Sequence, residues 1–159
     1  MQAEAVYLTE EGKRNLEAQL DELINVRRPA LAERLHFAIK QGDLSENADY
    51  TAAKEEQGFL EGRILEIKYK LRNAVLIDPN GPGDGRIGLG SEITVVEDGY
   101  DDDDRETYYL VGPTEADPGK GKISHESPLG KALMGHRKGD TISVAAPAGK
   151  IRFRIIKVK

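Results

Sequence analysis

Cysteine and tryptophan are both missing from this 159-residue sequence, and aromatic residues make up only 6% of it. Without cysteine there is no disulfide framework, no thiolate nucleophile and no thiolate metal site. Long apolar runs are missing too. Nothing approaches the roughly 20 residues a membrane-spanning helix needs. The first residues, Met1 to Val6, lack the basic stretch followed by an apolar one that marks a signal peptide. The expectation is a cytoplasmic protein with no membrane attachment. Excess positive charge is also lacking: the formal net charge of −5 argues against avid, autonomous binding to bare nucleic acid, which works by neutralising phosphates. His36, His125 and His136 show no metal-ligand spacing. Gly81, Gly83, Gly85, Gly88 and Gly90 are followed by no lysine-bearing helix start, so they read as a linker and strand entry, not a phosphate loop.

What is present is charge and periodicity. Hydrophobic content of 38% against 32% charged is little core for a single globule and suits an extended helical element beside a small domain. Thr9 reads as an N-cap, with Glu10 and Glu11 in the first turn where the helix dipole favours them. Leu16, Leu20, Leu23 and Ile24 begin an apolar stripe that resumes at Leu31, Leu35 and Ala38. Pro29 interrupts it; a proline inside a helix costs about 3 kcal/mol, so a kink or register adjustment is expected near Arg27 and Arg28. Tyr50, Ala53, Gln57, Leu60, Ile64, Ile67, Leu71 and Ala74 alternate steps of three and four, a heptad seam. Such a stripe must be covered, and the short joint at 41–43 makes the first helix its antiparallel partner. Gly58 and Gly62 fall on nearly one face, where they would permit close helix approach or simply weaken the helix by about 1 kcal/mol each.

Asp78-Pro-Asn-Gly-Pro-Gly-Asp-Gly breaks the pattern and marks a domain boundary. The expected organisation is a hairpin domain over residues 1–77 with an acidic tip at 42–50, a linker at 78–86 and a second domain over 87–159. Beyond the linker, 92–96 and 107–111 read as strands around an acidic run, Glu97 to Glu106, taken as a solvated, mobile loop. Ser127 and Pro128 read as the N-cap and first residue of a short helix, with Leu129, Leu133 and Met134 on its buried side and Gly135 as its stop. Residues 141–145 and 151–158 form a hairpin in which Ile151, Phe153 and Ile155 alternate with Arg152 and Arg154. The fold class is therefore α+β in two domains: an antiparallel helical hairpin and a small antiparallel β domain with one short helix.

Asp43 and Glu46 are open to two readings. As a capping box they would start the second helix, with no further purpose. As two carboxylates one turn apart at an exposed tip, they could share a hard divalent cation such as Mg²⁺, which takes one or two protein carboxylates and leaves its other positions to water or substrate phosphate.

The run Gly42-Asp43-Leu44-Ser45-Glu46-Asn47-Ala48-Asp49-Tyr50 closely resembles the tip motif of the Gre family of bacterial transcript cleavage factors. So do Ala52 to Phe59, Glu61-Gly62-Arg63-Ile64, Val26-Arg27-Arg28-Pro29 and Ser127 to Leu133, so that the likeness covers essentially the whole chain. The resemblance implies an N-terminal coiled coil and a C-terminal domain of FKBP-like fold that docks at the rim of the RNA polymerase secondary channel. It implies an activity exerted on the backtracked RNA 3′ end inside the elongation complex. The factor would complete another enzyme's active site and would not be a free nuclease. Matched residue by residue, Asp43 and Glu46 take the place of the acids that share Mg²⁺ with the polymerase, and Ser45 between them is placed to orient water. Lys54 falls where the family often carries a basic residue facing the RNA. Ile39, where another basic residue is common, departs from the pattern although Lys40 is adjacent, which favours the GreA-like over the more basic GreB-like branch. Competing expectations are a channel-binding inhibitor that promotes no cleavage, a coiled-coil adaptor or holdase, and a prolyl isomerase suggested by the FKBP-like fold, against which the aromatic complement of Tyr100, Tyr108, Tyr109 and Phe153 is sparse. A monomer is expected, because the heptad seam already has a partner within the chain.

Overall fold

The computed structural model describes residues 4–42 and 47–159. They divide into two compact units: a helical one over 13–74, and a second formed by 4–12 together with 75–159. Residues 4–12 thus belong with the β unit and not with the hairpin, although they precede it in sequence. The reason is local: strand β1 (Val6–Leu8) pairs with β2 (Ala74–Leu76). Directly after β1, Thr9 donates its backbone N–H to Glu115 Oε2 at 2.7 Å. Its hydroxyl bonds the same carboxylate and accepts from Gly12 N at 3.0 Å, the N-cap expected for helix α1 (Glu10–Glu22). Gly12 leaves room for that carboxylate, since a Cβ would stand 2.2 Å from Glu115 Cδ and the glutamate side chain would have to shift.

In the helical unit α1 runs through a wide turn, Leu23–Arg27, into α2 (Arg28–Lys40), and the chain returns as α3 (Ala48–Arg72). The wide turn is the register adjustment expected beside Pro29. Arg28 N–H reaches back five residues to Leu23 O, the local answer to a proline that has no N–H to continue the ladder. The arms are antiparallel: Gln19 meets Arg63, Arg28 meets Glu61, Arg34 meets Glu56 and Ala38 meets Asn47. Between them Leu31, Leu35, Ala53, Leu60 and Ile64 are buried, flanked by Leu20, Leu23, Ile24 and Tyr50. Gln57, the polar member of the seam, is half-buried. Gly58 and Gly62 do not serve close helix approach, because a Cβ at either would meet nothing within 4 Å. Their shared face looks away from the partner helix.

The second unit holds a five-stranded sheet in the order β5-β4-β3-β7-β6, formed by β3 (Glu92–Glu97), β4 (Glu106–Val111), β5 (Lys122–Ser124), β6 (Thr141–Ala146) and β7 (Gly149–Val158). It is antiparallel except that β5 lies parallel to β4, a departure from the purely antiparallel sheet expected. A register shift between Thr94 and Val95 bends β3 against β7. One face carries Ile87, Ile93, Val95, Leu110, Ile123, Ile142 and Ile155, closed over by Leu133 of helix α4 (Pro128–Leu133). Ser127 caps that helix by accepting from Gly130 N at 3.1 Å. Gly135 follows it with φ +80°, but Met134 stays outside the core, 38% exposed. The acidic run is exposed as expected and contains a short 3₁₀ turn, Asp102–Asp104, that Arg154 holds through Asp102 at 2.8 Å.

Candidate functional site at the hairpin tip

The tip is built where two helix ends must both satisfy backbone groups that have lost their intrahelical partners. At the end of α2, Gln41 donates its N–H to Ala38 O at 3.2 Å. Gly42 follows with φ +129°, a region that side chains rarely adopt. On the return, Asn47 stands in extended conformation (φ −89°, ψ 98°) and its Oδ1 accepts from Tyr50 N at 3.1 Å. Asp49 adds a carboxylate to the first turn, where the helix dipole favours it. The N-cap of α3 is therefore Asn47, and the capping box expected at Asp43 and Glu46 is not what starts this helix. The reason is that α3 begins only at Ala48, after both acids. The other side-chain group of Asn47, Nδ2, donates to Ala38 O at 2.8 Å. One side chain thus ties the last turn of α2 to the first turn of α3. Sequence reasoning passed Asn47 over, although asparagine ranks among the best N-caps and directly precedes the seam.

Asp43, Ser45 and Glu46 lie outside the described residues. Lys54 is exposed on α3, about 10 Å along the axis from Asn47, and its Nζ lies 3.3 Å from Gln57 Oε1. Lys40 and Ile39 are exposed on the opposite arm.

Along the shaft, the acids with displaced pKa values are ion-pair members. Glu61 is held below the ordinary carboxylate range mainly by its hydrogen bonds from Arg28, both 2.8 Å long. Glu66 is lowered in the same way, first by Arg63 and then by Lys70. These pairs are exposed and hold geometry more than they stabilise. In the β unit the sparse aromatics do not share one cavity. Tyr100 and Phe153 line a cup of about 390 Å³ with Glu97, Asp104, Arg105 and Glu106, whereas Tyr109 lines a separate groove with Leu76 and Ile77. Tyr108 bonds Glu106, and burial, with that bond second, pushes its phenol up to about 12. Among the described residues no group of three or more His, Cys, Asp or Glu is arranged to hold a metal, and no helix is long and apolar enough to cross a membrane.

Residues 6–76 match the family model described as transcription elongation factor, N-terminal. Residues 82–159 match the model described as transcription elongation factor, GreA/GreB, C-terminal. The chain belongs to the GreA/GreB family. Among its GreA/GreB relatives, the transcription elongation factor GreA of Listeria welshimeri is 44% identical over 159 residues, covering 99% of this chain and 98% of that protein. The GreA of Bacillus cereus is 43% identical over 160 residues and covers the whole of both. The solved structure of GreA factor homolog 1 of Thermus thermophilus is 33% identical, covers 98% of this chain and 99% of its own, and has a TM-score of 0.43. The two family models meet near the junction of the helical and β units, although the N-terminal one also takes in residues 6–12 of the β unit.

Proposed function

We propose that this GreA/GreB-family chain is a transcript cleavage factor. Its hairpin enters the secondary channel of RNA polymerase and stimulates the enzyme's own hydrolysis of backtracked RNA. The observation that carries this reading is the tip: Gly42 and Asn47 bracket a four-residue segment containing two carboxylates, and α3 draws its cap from Asn47. The N-cap of that helix is Asn47 and neither acid. Full-length similarity to GreA proteins supports the same conclusion.

The donor set suits magnesium. Two carboxylates and a hydroxyl within four residues offer hard oxygen ligands, too few for a closed site and appropriate to an ion whose remaining positions a partner fills. Asp43 and Glu46 would hold the ion jointly with polymerase, and when bound it supplies activation of water and neutralisation of developing negative charge. Ser45 orients water beside the acids. Lys54, exposed one and a half to two turns into α3, lies against the RNA phosphates. Along the hairpin, exposed charges are paired across the two arms, as in Arg28 with Glu61 and Arg34 with Glu56. The β unit docks at the channel rim. The chain acts as a monomer in the cytoplasm and does no hydrolysis alone.

The test is the release of RNA 3′ fragments from a halted, backtracked polymerase. Asp43→Asn with Glu46→Gln is expected to cut stimulated cleavage by about 10²-fold or more, as for loss of electrostatic groups at a reacting centre, with polymerase affinity unchanged. Cleavage at the wild-type rate by that double variant overturns the assignment.

A further inference from the structure

The two edges of the five-stranded sheet are finished differently. At the β5 edge Asp117 donates its N–H to Lys122 O at 2.7 Å and accepts from Lys122 N at 3.1 Å, so the chain closes that side itself. β6 ends the other side, with no strand beyond it. Just before β6 begins, Ile155 N donates to Asp140 O at 2.9 Å, and at its far end Ala146 pairs with Gly149 across a two-residue turn. Bonding to β7 therefore falls to the even-numbered residues of β6, and Thr141, Ser143 and Ala145 turn their N–H and C=O groups outward. All three are exposed. Edges of this kind are normally blunted by a charge, a proline or a bulge. The strand Thr-Ile-Ser-Val-Ala-Ala carries neither charge nor proline, and its register with β7 is unbroken.

The neighbouring strand supplies the charge. Arg154, Arg152 and Lys150 stand opposite Thr141, Ser143 and Ala145, and opposite residues of an antiparallel pair share a face. The three cations are exposed. Arg154 already holds a carboxylate, Asp102, at 2.8 Å, whereas among the described residues Arg152 and Lys150 hold none. A strand added beside β6 would run about 10 Å from β7. The side chains of Thr141, Ser143 and Ala145 in between are short, so Arg152 and Lys150 can lean across them to meet carboxylates. On the other face Ile142 is buried and Val144 half-buried, which suits apolar side chains at the alternate positions of the added strand. A second copy of β6 fits less well, because it brings no acid and a second row of the same cations.

We propose that the free edge of β6 accepts an extended acidic segment of a partner protein as an added strand. The backbone of that segment pairs with Thr141, Ser143 and Ala145, and its alternate carboxylates meet Arg152 and Lys150. In such additions main-chain bonds supply the affinity and side chains at alternate positions supply the selectivity. The surface belongs to the β unit, and its test does not depend on transcript cleavage.

The probe is a labelled synthetic peptide of alternating glutamate and valine. Fluorescence anisotropy with the full chain at low salt compares it with a lysine–valine counterpart and with a single-stranded oligonucleotide of equal charge. The glutamate peptide is expected to bind about tenfold or more tighter than the lysine peptide, and to slow amide exchange at Thr141, Ser143 and Ala145. Ser143→Pro removes one outward N–H and leaves the bonds to β7 in place, so it should weaken binding by about tenfold. Lys150→Glu with Arg152→Glu should invert the preference between the two peptides, with melting close to wild type. That exposed pair reads the edge even if the proline variant fails to fold. Equal binding of both peptides by wild type overturns the proposal, as does binding that leaves those three amides unprotected. Tighter binding of the oligonucleotide overturns it in favour of a phosphate-binding face. Self-association of wild type that Ser143→Pro abolishes overturns it in favour of a second copy.

Discussion

In the helical unit the buried seam is one side chain deep. Leu31 and Leu35 meet Ala53, Leu60 and Ile64, while Phe37, Phe59 and Leu65 stand outside it, each more than half exposed. Ala53, Ile64 and Ile67 are as enclosed as Ile93, Leu110, Leu133 and Ile155 of the β unit, at 0–1% exposure, but only in the β unit does a sheet close under a helix to form the core. A two-helix element has too little interior to enclose a second layer, so it sits at the unfavourable end of surface-to-volume scaling. Charged ties across the arms, such as Arg28 to Glu61 and Arg34 to Glu56, fix their register and add little stability. The difference is one of depth: the β unit closes a sheet under a helix, while the hairpin leaves several large apolar side chains in water.

That contrast can be broken most directly by cutting equal side chains from each core. Leu133→Ala removes a fully enclosed leucine and is expected to cost about 2–5 kcal/mol. Amide exchange across β3 and β7 would then accelerate by about 30-fold or more, with α2 and α3 amides unmoved. Leu35→Ala should lie at the low end of that range, because the neighbours of a thin seam can relax into the gap. A larger cost at Leu35 than at Leu133 would mean that depth of burial does not distinguish the units.

A smaller effect of opposite sign sharpens the comparison. Gly58→Ala and Gly62→Ala should each stabilise the hairpin by about 1 kcal/mol, since both positions open onto empty space. Helical circular dichroism during a thermal melt reads this, and destabilisation by either variant would contradict the outward placement of that face. The smallest effect is electrostatic. Glu61 has a lowered pKa in the folded chain, so what its pair with Arg28 contributes is present above the usual carboxylate range and is lost as pH falls through the lowered value. Glu61→Gln should flatten the acid side of the melting-temperature profile, and added salt should shrink the difference from wild type. An unchanged acid limb would mean that the tie is only a feature of geometry.

Much of the architecture was legible because its signals are local. Thr9 and Ser127 announce their helices through hydroxyls that act within three residues, and the seam from Tyr50 to Leu71 declares itself by period alone. The adjustment beside Pro29 follows from one missing N–H. What was not legible depends on partners far away. Strand β1 is three residues long and is defined by β2 and by Glu115; no window around Tyr7 contains either. The parallel pairing of β4 with β5 needs a connection whose path carries no periodic mark. Gly58 and Gly62 were ambiguous because spacing gives a shared face without saying which way it points. At the tip, Asp43 and Glu46 stood out as acids, while the cap went to Asn47, whose second bond crosses to Ala38 and leaves no trace in a linear pattern.

The discontinuous β unit has a consequence for how the chain is made. Its first piece, including Leu8 with no exposed surface, leaves the ribosome long before Glu115 and long before β7. At ordinary rates of synthesis that interval is on the order of ten seconds. The hairpin, whose contacts are short in sequence, can close during the wait. The nascent chain would then carry a finished hairpin while its oldest strand, paired only with β2, still lacks Glu115 and the rest of its unit, and any chaperone that attends this protein should find that strand first.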